Sequence, residues 1–160
     1  MNQLFVKARS RLILDSPFFG TLCLRQIPTE WEEQTGAVDG KHLFFNVKWF
    51  EKLTELERIG FLAHEVMHLV LMHHTRRQER NPHKWNVAAD YAINNHLLAE
   101  GFILPKGGLV DDPAMSSCLE RGELLLGLEQ DGRVCDRVQR GELLWVREHD
   151  GTELFSTQGA

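Results

Sequence analysis

The sequence predicts an α+β fold, helices packed with a small antiparallel sheet, on three observations. Thr54 and Glu57 form an S/T-x-x-E capping box at the head of a segment in which Leu56, Ile59, Ala63, Val66 and Val70 recur at three- and four-residue spacing, the signature of a helix with one apolar face. A second segment is framed by Asn81 as cap, Pro82 in the first turn and Gly101 as terminator. Upstream of both, Gly20 to Ile27 and Lys41 to Asn46 alternate as strands, with Gly36 to Gly40 punctuating a turn between them.

The remaining elements follow in chain order. Leu4, Phe5, Leu12 and Ile13 interleave with Lys7, Arg9 and Arg11, an amphipathic helix without the continuous apolar run of a signal peptide. Ser16-Pro17 breaks that pattern. Asn46 caps a short turn carrying Trp49 and Phe50 into the core, and His42 is read as a strand-surface histidine.

The chemistry concentrates in His64-Glu65-Val66-Met67-His68, an HExxH arrangement on the first of the two capped helices. Residues i and i+4 share a helix face, so His64 and His68 can reach one Zn²⁺, and Glu65 stands where a general base can activate water. Projected at about 100° per residue, the two histidines fall beside the apolar stripe and Glu65 lies further round, toward a more polar face. Histidines with only a packing role would sit inside the stripe.

Catalytic zinc takes three protein ligands and keeps one position open. His74 stands ten residues after His64, as in the longer HExxHxxGxxH pattern, but that pattern turns at a glycine where this chain has Leu71. Without it the helix is expected to run on through Leu71 and Met72, turning His73 toward the core and His74 off the metal face. The second helix offers Asp90. Asn86, Asp90 and Asn94 form a polar stripe at four-residue spacing in an otherwise apolar segment, and Ala88, Ala89 and Ala92 permit close packing. A buried carboxylate is costly unless a cation offsets it, which makes Asp90 the favoured third ligand, with Asn86, His96 and His74 as alternatives. If another residue ligates, Asp90 can instead orient a zinc-bound histidine.

The run from about Leu43 to Gly108 carries Phe45-Asn46, Leu62-Ala63-His64-Glu65-Val66-Met67-His68, Arg76, Arg80, Trp85-Asn86-Val87-Ala88-Ala89-Asp90-Tyr91-Ala92-Ile93-Asn94 and Leu104-Pro105. It resembles the bacterial and phage "putative metallopeptidase" domain, in which HExxH is joined to a downstream WNxAADYxIN. The resemblance implies a zincin-like fold whose strand before the metal helix runs along the cleft and hydrogen-bonds an extended peptide. It also implies a setting beside MoxR-type AAA+ ATPases and a following von Willebrand factor A-like domain. After about Val110 the resemblance ends. The residues left are too few for that second domain and lack a D-x-S-x-S motif.

The organisation expected is a zincin-like domain over residues 1–115 and a C-terminal appendage over 116–160. In the appendage Arg121-Gly122-Glu123-Leu124-Leu125 is echoed by Arg140-Gly141-Glu142-Leu143-Leu144, and each copy runs on to an Asp-Gly pair, Asp131-Gly132 and Asp150-Gly151. Asp-Gly is a hairpin signal, so the region reads either as a small β-meander or as a poorly ordered tail.

Composition sets the bounds. A chain of 160 residues with 42% hydrophobic content can bury one core. A net charge of −5 without a long basic block argues against nucleic acid, and Arg76, Arg77 and Arg80 read as a helix-terminal cluster. No segment is apolar enough to span a bilayer. Cys23, Cys118 and Cys135 are odd in number and lack metal-ligand spacing, which suits reduced thiols in a cytoplasm. The expected function is a zinc-dependent peptidase acting on a peptide or protein. Zn²⁺ would be held by His64, His68 and Asp90, with Glu65 as base. The alternative is a non-catalytic zinc module serving an AAA+ partner.

Overall fold

The computed structural model describes residues 2–33, 35–76, 79, 82–107, 147–149 and 152–154. Asn81, Arg77, Arg80, Cys118, Cys135 and both copies of the tail echo, with Asp131-Gly132 and Asp150-Gly151, lie outside the described residues.

The chain opens with α1 (Gln3–Asp15), whose first turn is closed by the Asn2 side chain accepting from the N–H groups of Leu4 and Phe5. Its buried face is Phe5, Ala8 and Leu12, as the amphipathic pattern requires. After Ser16 the chain does not enter a strand. Pro17–Leu24 forms a second helix, α2, and the strand expected over Gly20 to Ile27 is corrected accordingly. Pro17 occupies the first helical turn, where its missing N–H costs nothing. Gly20 and Cys23 turn inward, and α2 packs on α1. Burial pushes the Cys23 thiol up to about 12, so it stays protonated and apolar.

The sheet contains β1 (Ile27–Trp31), β2 (Gly36–Val38) and β3 (His42–Asn46) in the order β1-β3-β2. It is mixed, where the sequence suggested an antiparallel sheet. The chain reverses after β1, runs back along β2 and reverses again, so β3 inserts between the two, antiparallel to β2 and parallel to β1. What read as a turn over Gly36 to Gly40 is therefore mostly the edge strand β2, with the reversal itself at Asp39 to Lys41. Asp39 builds that reversal by accepting from the N–H groups of Lys41 and His42. Because β3 is hydrogen-bonded on both sides, it offers no free edge to an extended peptide, and that implication of the resemblance is corrected. The outer edges of this sheet belong to β1 and β2.

Leu43 and Phe45 on one face of β3 enter the core, where Phe45 stacks on Phe5 at 4.8 Å and meets Phe50 edge-on at 5.2 Å. Phe50 lies on α3 (Val47–Lys52), whose N-terminus the Asn46 side chain caps through the Trp49 N–H. Trp49 is only partly buried and meets Phe61 edge-on.

α4 (Glu55–Val70) begins at the complete Thr54–Glu57 capping box. The Thr54 N–H holds the Glu57 carboxyl below its ordinary range. Every residue from Ile59 to His68 is buried, because α1, α2, β2 and α6 (Pro82–Ala99) all pack around this helix. The single apolar stripe of the sequence reading is thus only part of what is covered. Leu56, assigned to that stripe, is in fact exposed one turn too early.

The helix also stops sooner than expected. α4 ends at Val70, Met72 adopts a left-handed φ of 54°, and a short helix α5 (His73–Arg76) follows. A left-handed methionine costs backbone energy that glycine would not. Two contacts hold the turn: the Thr75 hydroxyl donates to the Met72 carbonyl, and the Trp85 indole N–H donates to the His73 carbonyl. At its far end α6 closes through Gly101 (φ 87°), with the Gly101 N–H on the Leu98 carbonyl and the Phe102 N–H on the Leu97 carbonyl.

In the C-terminal region β4 (Arg147–His149) and β5 (Thr152–Leu154) pair antiparallel with His149 opposite Thr152. No helix among the described residues is long and apolar enough to cross a membrane.

Close approach fixes α4 from behind. A Cβ on Gly60 would stand 2.0 Å from the Ile103 carbonyl oxygen, a backbone atom that cannot swing aside. Gly60→Ala is therefore expected to destabilise the protein by about 1–3 kcal/mol despite alanine's better helix propensity. Urea unfolding monitored by tryptophan fluorescence measures this, and an unchanged or raised midpoint would contradict the packing described.

Candidate metal centre

His64 and His68 stand one turn apart on α4, and Asp90 faces them from α6. Nε2 of His64 and Nε2 of His68 are 3.0 Å apart. Oδ1 of Asp90 lies 3.4 Å from the first and 3.2 Å from the second. Three ligand atoms on one tetrahedral zinc at ordinary bond lengths are separated by about 3.3 Å. The triangle between the two helices has that size, so the residues fit such an ion.

The donor chemistry agrees with the distances. Nδ1 of His64 is 2.7 Å from the side-chain oxygen of Asn94, which can only accept, so the His64 proton sits on Nδ1 and its Nε2 presents a lone pair. Asp90 Oδ1 is buried and aligned with neither imidazole as a hydrogen bond. A lone pair and a carboxylate oxygen are therefore pressed against His68 Nε2 in a space from which water is excluded. One proton on His68 could serve a single contact, whereas one cation serves all three. Burial disfavours the Asp90 charge, but the two imidazole edges hold its carboxyl below the ordinary range.

Glu65 is placed differently from its sequence projection. It was expected on a more polar face, yet it is 0% exposed, and both its carboxylate oxygens lack hydrogen-bond partners. The projection follows α4 alone and is blind to the elements packed on its other sides. Burial, and then the nearby Asp90 carboxylate, push the Glu65 carboxyl well above its ordinary value.

His73 is buried, as expected, though a turn and not a continuing helix brings it inward, and its Nδ1 lies 3.2 Å from Nδ1 of His68. This contact was not legible in the chain, because the turn at Met72 has no glycine to announce it. His96 is exposed and cannot reach the site. Asn86 is buried one turn before Asp90 with an amide that makes no hydrogen bond. The side chain of His74 lies outside what the structure describes. His42 is half-buried on the sheet, its Nδ1 2.9 Å from Asp39 Oδ2, and has no part in the cluster. A cleft of about 510 Å³ lined by Glu30, Trp31, Glu32, Asn46, Val47 and Lys48 does not include the four residues of the HExxH and Asp90 cluster.

The raised Glu65 carboxyl has a consequence for the metal-free protein. Its folded-state pKa exceeds its unfolded value of about 4.5, so between those two values the folded chain binds the extra proton and stability falls as pH rises. Glu65→Gln removes that dependence. With chelator present, the variant should gain stability relative to wild type as pH is raised from 5 to 8 in urea unfolding. A constant difference across that range would contradict the burial of an unpaired carboxylate.

Among groups that could hold a metal in the described residues, His64, His68 and Asp90 come together within 4.8 Å. No curated protein and no solved structure is similar enough to the chain to count as a relative. A family profile described as "Putative metallopeptidase domain" matches residues 2–142, reaching well past Val110, where the motif resemblance ends. With that span matched, the chain belongs to this metallopeptidase-domain family.

Proposed function

We propose that the protein is a zinc-dependent peptidase, with His64, His68 and Asp90 as ligands and Glu65 as general base. The observation that supports this best is the triangle of acceptor atoms at 3.0, 3.2 and 3.4 Å with an unpaired carboxylate on the adjoining residue of α4. When bound there, zinc supplies the positive charge that polarises a peptide carbonyl and acidifies water. Glu65 accepts the proton of the attacking water on a carboxylate oxygen and delivers it to the leaving amine nitrogen. Asp90 supplies the negative charge that two neutral imidazoles lack. The substrate class in this reading is a peptide or protein.

One observation favours a second reading. His64, Glu65, His68 and Asp90 are 2%, 0%, 0% and 2% exposed, the closure expected of a structural metal. In that reading the domain is a zinc-stabilised interaction module, and its partner is an AAA+ ATPase of the MoxR type. Against it stands Glu65, a costly buried carboxylate that a structural site does not need.

The purified chain should bind one zinc per molecule, measured by competition with a chromophoric chelator, and Asp90→Ala should weaken that binding by more than the 10–100-fold typical of a supporting residue. Undiminished affinity in Asp90→Ala would remove it from the ligand set. Glu65→Gln should keep the zinc and lose about 10²–10⁴-fold in cleavage of a peptide library, because the amide preserves shape but takes no proton. Equal cleavage by variant and wild type would refute Glu65 as base, and no cleavage by zinc-loaded wild type would favour the interaction module.

A further inference from the structure

The stripe on α6 contains more than a ligand. Asn94 stands one turn beyond Asp90, is 2% exposed, and places Oδ1 2.7 Å from Nδ1 of His64, itself 2% exposed. A neutral imidazole can carry its proton on either nitrogen, and the partner of one nitrogen decides what the other offers. With the proton on Nδ1, Nε2 directs a lone pair at the gap between His68 and Asp90. With the proton on Nε2, that atom would point a hydrogen into the gap and could not ligate.

We propose that Asn94 is a positioning residue: its side-chain carbonyl accepts the Nδ1 proton of His64 and thereby holds Nε2 in the ligating form and orientation. The inference rests on the reading of His64 as a metal ligand. It also gives α6 a double task, since the same helix face supplies the carboxylate at Asp90 and, four residues later, the group that prepares the opposing histidine. The register between α4 and α6 then matters to both at once. A purely architectural Asn94 would merely join two helices and would have no bearing on which nitrogen of His64 is protonated.

The test uses the metal-free chain, ¹⁵N-labelled, at pH 8, together with zinc alone as the ligand. Ring ¹⁵N shifts of His64 should show the proton on Nδ1 in wild type and in Asn94→Asp, which keeps an acceptor oxygen, and a loss of that preference in Asn94→Leu, which keeps the volume. Zinc affinity should fall 10–100-fold in Asn94→Leu and stay within about tenfold of wild type in Asn94→Asp. A wild-type His64 protonated on Nε2 overturns the inference whether or not any variant folds. So does an Asn94→Leu protein that binds zinc as tightly as wild type, and in that case the peptidase reading survives. Wild type that binds no zinc sinks that reading and this inference together.

Discussion

The buried meeting of three electron-rich atoms between α4 and α6 is the constraint on which the rest depends. Nε2 of His64, Nε2 of His68 and Oδ1 of Asp90 lie within 3.4 Å of one another where water does not reach. Bringing two imidazole nitrogens and a carboxylate oxygen together in the interior costs each of them its hydration. The arrangement persists because the surrounding elements hold both helices. The Gly60 contact with the Ile103 carbonyl allows α4 to lie close to the segment after α6. The aromatic group of Phe5, Phe45, Phe50 and Phe61 ties α4 to α1, α3 and the sheet. A site formed at a cost and held by packing is what a protein needs to bind a metal tightly without rearranging.

The same packing explains why the site is so enclosed. α4 is covered on all sides in its middle turns, and Glu65 is carried into the interior along with His64 and His68. The two carboxylates then have opposite characters although they lie in one apolar region. Burial raises both, but the two imidazoles bring the Asp90 carboxyl below its ordinary range, whereas the nearby Asp90 carboxylate raises that of Glu65 further.

Much of this was legible in the chain. The capping box and the periodicity after it located α4, and the spacing of His64 and His68 placed both on one face. Asp90 stood out because a carboxylate in an apolar helix needs a reason. Sequence reasoning failed where the answer lay in neighbouring elements. Periodicity on α4 could not reveal that Glu65 would be covered by other helices, and alternation over Gly20 to Ile27 looked like a strand because the short helix there has few polar residues to betray its period. Met72 hid a turn, since a left-handed residue without glycine leaves no local mark and is held by Thr75 and Trp85 instead. The parallel pairing of β1 with β3 depends on the order of strands across the sheet, which alternation does not encode. Asn94 was visible as part of a polar stripe, but its partner thirty residues away was not.

The central claim is that a metal ion occupies the triangle between α4 and α6. The measurement that addresses it most directly is a crystal structure of the zinc-loaded protein with anomalous differences collected across the zinc edge. The account predicts one anomalous peak about 2.0–2.2 Å from Nε2 of His64, Nε2 of His68 and Oδ1 of Asp90, with a fourth position that no side chain of this protein fills. Zinc bound elsewhere, or a fourth protein ligand closing the site, would contradict it.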